Sequence, residues 1–248
     1  MVSSPPLFYL TFAAVALIIG LGKGGLGSSF AALATPLLAL TMPVPELVPL
    51  MLPFLMVGDL FAVGFHWRRW DRRQVLLLIP GALVGVAVGT LFLTNVSPDV
   101  LRTFLAILVL LFALYKGLEP RIIRFFRYQP RPWHGLIGGG VSGFSSAIAN
   151  TGGPPATIYL LMQGLQPRVF IATTALFFMI LNYIKIPFYY AAGLFDLARI
   201  VNVAWLLPLV PVGVWLGRMF VVRVSQKTFE AVILIFLVIS ALLLLLRS

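Results

Sequence analysis

The 248-residue sequence contains no cysteine and only two histidines, which excludes disulfides, thiol chemistry, covalent haem attachment and any Cys/His metal centre. Acidic residues are scarce as well: seven Asp and Glu stand against eighteen Lys and Arg, and they are scattered along the chain. Neither paired acids nor a histidine cluster gathers at one place, so no catalytic set, metal site or cofactor site is expected. Charged residues make up 10% of the chain, apolar residues 60%, and the mean hydropathy is +1.04, values that no water-soluble surface accommodates. What the chain does have is apolar runs along nearly its whole length. It reads as an all-α integral membrane protein forming a single membrane domain, 1–248.

A formal charge of +11 on a soluble protein would point to nucleic acid. Here the arginines sit in short loops beside apolar runs, where the positive-inside bias accounts for them, and no nucleic-acid partner is expected. The first apolar run lacks a small-residue cleavage pattern and is read as a retained span.

Six runs have full spanning length, at 43–66, 74–94, 100–117, 169–191, 200–222 and 228–246. Four others are shorter. The pieces 7–21 and 28–42 flank "GLGKGGLG", and 136–149 and 155–165 flank "NTGGPP". At ~1.5 Å per residue a piece of this length falls short of ~30 Å of hydrocarbon, so each pair predicts two half-helices meeting inside the bilayer.

A shift of 128 residues places Lys23-Gly24-Gly25 on Thr151-Gly152-Gly153, and "GVAVGTLFLTNVS" (85–97) on "GVWLGRMFVVRVS" (213–225) with six identities in thirteen. The expected architecture is two repeats, 1–118 and 134–248, joined by a cytoplasmic linker at 119–133. Each holds a Gly-interrupted pair of half-helices and three long transmembrane helices. A broken pair contributes an even number of crossings and three spans an odd number, so the repeats are expected to be inverted. Thirteen of the eighteen basic residues then fall at the cytoplasmic side, including Arg68, Arg69, Arg72, Arg73, Lys116, Arg131 and Arg168, and both termini are extracytoplasmic.

A break within hydrocarbon bares peptide N–H and C=O groups, and each unsatisfied group costs several kcal/mol there. Irregular backbone survives at that depth where it is packed in protein or lines a wet cavity, and paired broken helices in inverted repeats are a recurring design of secondary transporters. The first break offers amides from Gly24 and Gly25 through Ser29, together with the Lys23 ammonium. In the second, Pro154 and Pro155 lack an N–H, which leaves the Gly152 and Gly153 amides with Asn150 and Thr151. Thr151 is placed to cap the helix that follows. Such donors suit an anion. "GLGKGG" is not a phosphate loop, because it lacks GxxxxGK[ST] and a preceding strand. The four-residue spacing of Gly81/Gly85/Gly89 and of Gly213/Gly217 marks close helix packing instead.

Lys23, Asp59 and Lys185 lie inside apolar runs, where one charge costs ~2.5–3.5 kcal/mol on insertion scales. Two positives and one negative leave room for an anion. Asp59 is read either as a proton-coupling group or as the ion-pair partner of Lys185. Asn182 lies one turn from Lys185 on the same face. Tyr189 and Tyr190 are read as interface aromatics. Lys23→Ala and Lys185→Ala are both expected to weaken anion binding while leaving the folded yield nearly intact.

The segments "GLGKGGLGSSFAALATPLLAL" and "GGGVSGFSSAIANTGGPPATIYLL" resemble the TauE/SafE family of sulfite exporters, and the resemblance covers nearly the whole chain. The family's glycine segments correspond here to Gly20, Gly22, Gly24, Gly25 and Gly27, and to Gly143, Gly152, Gly153 and Pro154. The resemblance implies a multi-pass carrier of the bacterial inner membrane that moves sulfite or small organosulfonates outward. Lys23 stands where members of that family often carry small or apolar residues, and the second break ends in Pro-Pro instead of a longer glycine run. Combined with the residues themselves, this predicts a secondary transporter whose substrate contacts Lys23, Gly24, Gly25, Asn150, Thr151, Gly152, Gly153, Asn182 and Lys185, with Asp59 as the proton-coupling group. A carrier of another small anion or carboxylate, or a non-transporting assembly factor, is the alternative. The small anion, the lipid bilayer and a second copy of the chain, as a homodimer, are the partners this reading admits.

Overall fold

The computed structural model describes residues 5–26, 33–125, 131–221 and 226–246, and all of its regular elements are helices. Gly27, Ser28 and Ser29 of the first break, and Arg127, Arg223 and Arg247, lie outside the described residues. In chain order the helices are α1 (Pro5–Leu21), α2 (Ala34–Ala39), α3 (Val44–Phe65), α4 (Arg72–Asn95), α5 (Pro98–Phe125), α6 (Pro132–Ala149), α7 (Gly153–Met162), α8 (Pro167–Ala191), α9 (Leu197–Ala204), α10 (Leu209–Val221) and α11 (Gln226–Leu246). Among the described residues, five helices are long and apolar enough to cross a bilayer, or six when α9 and α10 are taken as one bent span. The protein is a multi-pass membrane protein.

Three expectations about helix length need correction. The run 200–222 is not one helix: α9 and α10 meet at a 54° bend. Pro208 lacks an N–H, and its ring conflicts with the carbonyl four residues back, at Ala204, where α9 stops. The piece before the first break is longer than expected, because a π turn over Gly22–Leu26 continues α1, and Pro6–Gly25 has the 20 residues (~30 Å) of a full span. The helix before the second break begins four residues early, at Pro132, where the His134 ring accepts the Arg131 N–H at 2.8 Å. With 18 residues, α6 is ~27 Å long, whereas α7 has 10 residues and reaches only ~15 Å. At the second break, then, a near-full helix meets a half-length one.

Two seams of small residues organise the bundle. Along α4 and α6 the backbones nearly touch: a Cβ on Gly81 would strike the Leu136 carbonyl, one on Gly85 the Gly140 carbonyl, and one on Gly143 the Ala82 carbonyl. Along α1 and α10 the same holds for Gly20 against Val210 and Gly213 against Leu17. Between helices in lipid there is little hydrophobic driving force, so close backbone approach and its dispersion contacts hold such seams together. Between the seams α3 packs against α8, and α5 against α11. The core around α3 is filled by Phe12, Ile19, Leu47, Met51, Phe54 and Phe177.

The hairpin of α6 and α7 dips into the bundle and returns. Gly152 lies against Ser142, Gly138 against Tyr159, and Gly135 against the Tyr159 hydroxyl, so the chain comes back to the end at which α6 began. Tyr159 donates to Gln74 at 2.7 Å, and the Asp71 N–H donates to Thr173 at 2.9 Å. The starts of α4, α6 and α8 therefore share one face with the end of α7, and Arg72, Arg73, Arg131 and Arg168 lie at those starts.

Candidate functional site

The first break arises from a glycine-specific backbone. Gly25 has φ 134°, a conformation that L side chains rarely adopt, and it kinks the chain inside the π turn that carries Lys23. Lys23 projects toward α3. Gly58 leaves room for its stem, since a Cβ there would sit 3.0 Å from Lys23 Cγ. The ammonium pairs with Asp59 Oδ1 and lies 5.4 Å from the centroid of the Phe178 ring. Asp59 is fully buried, and its second oxygen accepts from Asn182 Nδ2 at 2.6 Å. One carboxylate thus ties the first break to α3 and α8.

At the second break α6 stops on Asn150, which adopts the left-handed region (φ 53°), where Asn is among the few tolerated residues. That turn aims the side-chain carbonyl of Asn150 at α8, where it accepts from Lys185 Nζ at 2.8 Å. Its amide faces the Val48 carbonyl at 3.5 Å. Lys185 is fully buried, so it does not snorkel to an interface. Among the described residues no carboxylate forms an ion pair with it, although the charges of Asp59 and Lys23 both act on it. Asn182 and Lys185, three residues apart, present one face of α8 to both breaks.

The structure thus joins Lys23, Asp59 and Asn182 in one bonded set and Lys185 and Asn150 in another, one helical turn apart. The expected alternative pairing of Asp59 with Lys185 is replaced by Asp59 with Lys23, because Gly58 opens α3 to the lysine stem. The remaining expected residues are engaged elsewhere. Gly24 packs on α10, where a Cβ would meet the Val214 carbonyl. Gly25 is exposed within the π turn. The hydroxyl of Thr151 faces the Ser145 carbonyl at 3.5 Å, and Ser142 donates to the Gly152 carbonyl, so both residues are drawn back onto α6. Gly152, not Thr151, occupies the cap position of α7, with no side-chain bond there. Gly153 begins α7 and is buried; its N–H is one of those a helix start leaves without an intrahelical acceptor.

Tyr189 is a further correction, since it is not an interface aromatic. It is fully buried and donates to the Ala147 carbonyl at 2.7 Å, satisfying an acceptor at the end of α6 just before the break. Tyr190 is 78% exposed, as an interface residue would be. Sequence reasoning passed over Gly58 and Phe178; the one signal that marks Gly58 is its place directly before a buried Asp.

On the face opposite the basic one, α3 begins beside the loop that leads into α9. Arg199 there pairs with Glu46 and, at 3.1 Å, with Asp196, which also caps α9 through the Arg199 N–H at 3.0 Å. A recess of about 280 Å³ opens at this point, lined by Pro49, Leu50, Leu194 and Phe195 among others. Two of its lining residues, Pro49 and Leu50, lie on the same stretch of α3 as Val48 and Met51, which face Asn150.

A bundle of spans with charged groups buried at helix breaks defines a polytopic membrane protein of the transporter kind. The model of the sulfite exporter TauE/SafE family matches residues 12–244, nearly the whole chain, and the protein belongs to that family. No curated protein and no solved structure matches it.

Proposed function

We propose that the protein is a secondary transporter that carries a small sulfur oxyanion, sulfite or an organosulfonate, outward across the bacterial inner membrane. Lys185 is the observation that carries this reading. An ammonium with no solvent exposure, bonded to a neutral amide and, among the described residues, in no ion pair with a carboxylate, retains most of its desolvation cost. An anion bound against it would offset that cost, and Asn150, which already meets it, belongs to the break in which Gly152 and Gly153 carry further backbone amides. Family membership supports the sulfur oxyanion, and two ammonium groups around the breaks, Lys23 and Lys185, against the single carboxylate of Asp59 support an anion over a cation.

Lys23 and Asp59 supply the coupling in this scheme. A substrate anion competes with Asp59 for the Lys23 ammonium, and the carboxylate so released takes up a proton. Each half of the protein acts as one repeat, the two inverted in the membrane and rocking about α3 and α8. The order of elements supports the repeat, since each half runs from a helix through a break to a short helix and then to three further segments. Gathering the arginines on one face supports a cytoplasmic assignment of that face and extracytoplasmic termini.

Uptake of labelled sulfite into proteoliposomes holding the purified protein tests the proposal, with taurine-type sulfonates and simple carboxylates as parallel substrates. Saturable, gradient-dependent flux of a sulfur oxyanion is expected. Flux of carboxylates alone would move the assignment to another anion, and no flux of any anion would remove the transporter reading.

A further inference from the structure

A second recess, about 430 Å³, runs between α5, α6 and α7 and includes none of the buried charges. Its walls are apolar side chains such as Leu108, Leu111, Ile137, Val141 and Ile158, and it deepens to Thr151 and Pro154 at the break. Leu111, Ile137 and Val141 are each at least half exposed, so the recess opens sideways toward the surrounding bilayer and not toward the bundle centre. Its depth follows α7, ten residues or ~15 Å, which is half of a ~30 Å hydrocarbon core and the reach of one leaflet's acyl chain.

The shallow end differs in chemistry. Tyr115, His134 and Tyr159 line it. Lys116 follows Tyr115 on α5, Arg131 stands at the start of α6, and the charge of Arg73 acts on Tyr159. The recess is therefore apolar through one leaflet, with histidine and tyrosine side chains at its shallow end and Lys116 and Arg131 within one to three residues of them in the chain.

We infer that this recess is a binding site for a single anionic phospholipid, with an acyl chain lying along α7 to the second break and the phosphate over His134, between Lys116 and Arg131. Charge complementarity selects the occupant: a zwitterionic lipid of the same chains fills the apolar slot equally well but gains less from the cations. Because the acyl chain ends at Thr151 and Pro154, the lipid buttresses the outer side of the break whose inner side carries Asn150.

Native mass spectrometry of the delipidated protein, titrated with an equimolar mixture of dioleoyl phosphatidylglycerol and dioleoyl phosphatidylcholine, tests this without reference to transport. Retention of one phosphatidylglycerol per chain in preference to phosphatidylcholine is expected. Lys116→Gln and Arg131→Gln should each lower that preference about fivefold. Val141→Trp or Ile137→Trp, made separately so that either can report if the other folds poorly, should remove retention of both lipids by filling the slot. Equal retention of the two lipids by the wild type would reduce the recess to ordinary lipid contact and overturn the inference. Unchanged phosphatidylglycerol retention in a folded tryptophan variant would do the same.

Discussion

Lys23, carried on the π turn of the first break, forms an ion pair with Asp59 on α3, thirty-six residues further along the chain and fully buried. Asn182 of α8 completes the coordination of the carboxylate. The pair fixes the first break against α3 and, through Asn182, against α8, the helix that also carries Lys185, and it determines how variants at these positions behave.

Lys23→Ala is no longer expected to be silent for folding, because it would leave Asp59 buried without its cation. Removing one member of a buried pair costs ~3–5 kcal/mol. Melting of the purified variant in detergent should show the loss, and the double variant Lys23→Met/Asp59→Leu should recover much of it. Additive losses in the double variant would mean that the two groups do not act as a pair.

Lys185→Met should behave in the opposite way. Among the described residues its bonded partner is the neutral Asn150 alone, so the methionine relieves a buried charge and the melting temperature should stay level or rise. Anion affinity should fall by about tenfold or more, the worth of one charge-assisted contact. Isothermal titration with sulfite, run beside the melting curve, separates the two effects; unchanged affinity would take Lys185 out of the binding site.

Asn150 combines a backbone role with a side-chain role, and two substitutions divide them. Asn150→Gly keeps the left-handed turn but leaves the buried Lys185 without its acceptor, so affinity should drop and stability should fall by the ~1–3 kcal/mol of an unmade buried hydrogen bond. Asn150→Val strains the turn as well, and its folded yield should fall below that of the glycine variant. Equal yields for both would mean that φ at this position is not what holds the break.

Asp59→Asn keeps a hydrogen-bonding group next to Lys23 and Asn182 but cannot take up a proton. In proteoliposomes it should retain counterflow exchange of sulfite and lose the response to an imposed pH gradient. A variant still driven by the gradient would assign the coupling to another group.

Gly20→Ala tests the α1–α10 seam independently of the charges, since the added Cβ would meet the Val210 carbonyl. Overpacking of this kind costs ~1–3 kcal/mol, to be read as a lower melting temperature with affinity unchanged per folded molecule.

The class of the protein, most of its spans and the unusual polar residues were legible in the chain itself. Hydrocarbon imposes length and composition on a spanning helix, and a Lys, Asp or Asn inside such a run stands out against its neighbours. Lys23, Asp59, Asn150, Asn182 and Lys185 were all distinguishable on that ground. The bend between α9 and α10 left a mark too, at Pro208, though apolar content alone read across it. Which polar residue meets which was another matter. The pairing of Asp59 with Lys23 depends on space above Gly58, the contact of Asn150 with Lys185 depends on one left-handed residue, and the burial of Tyr189 depends on where α6 ends. Each is set by how helices distant in sequence approach one another, and hydropathy, which scores residues by their solvent and not by their neighbours, carries no record of that approach.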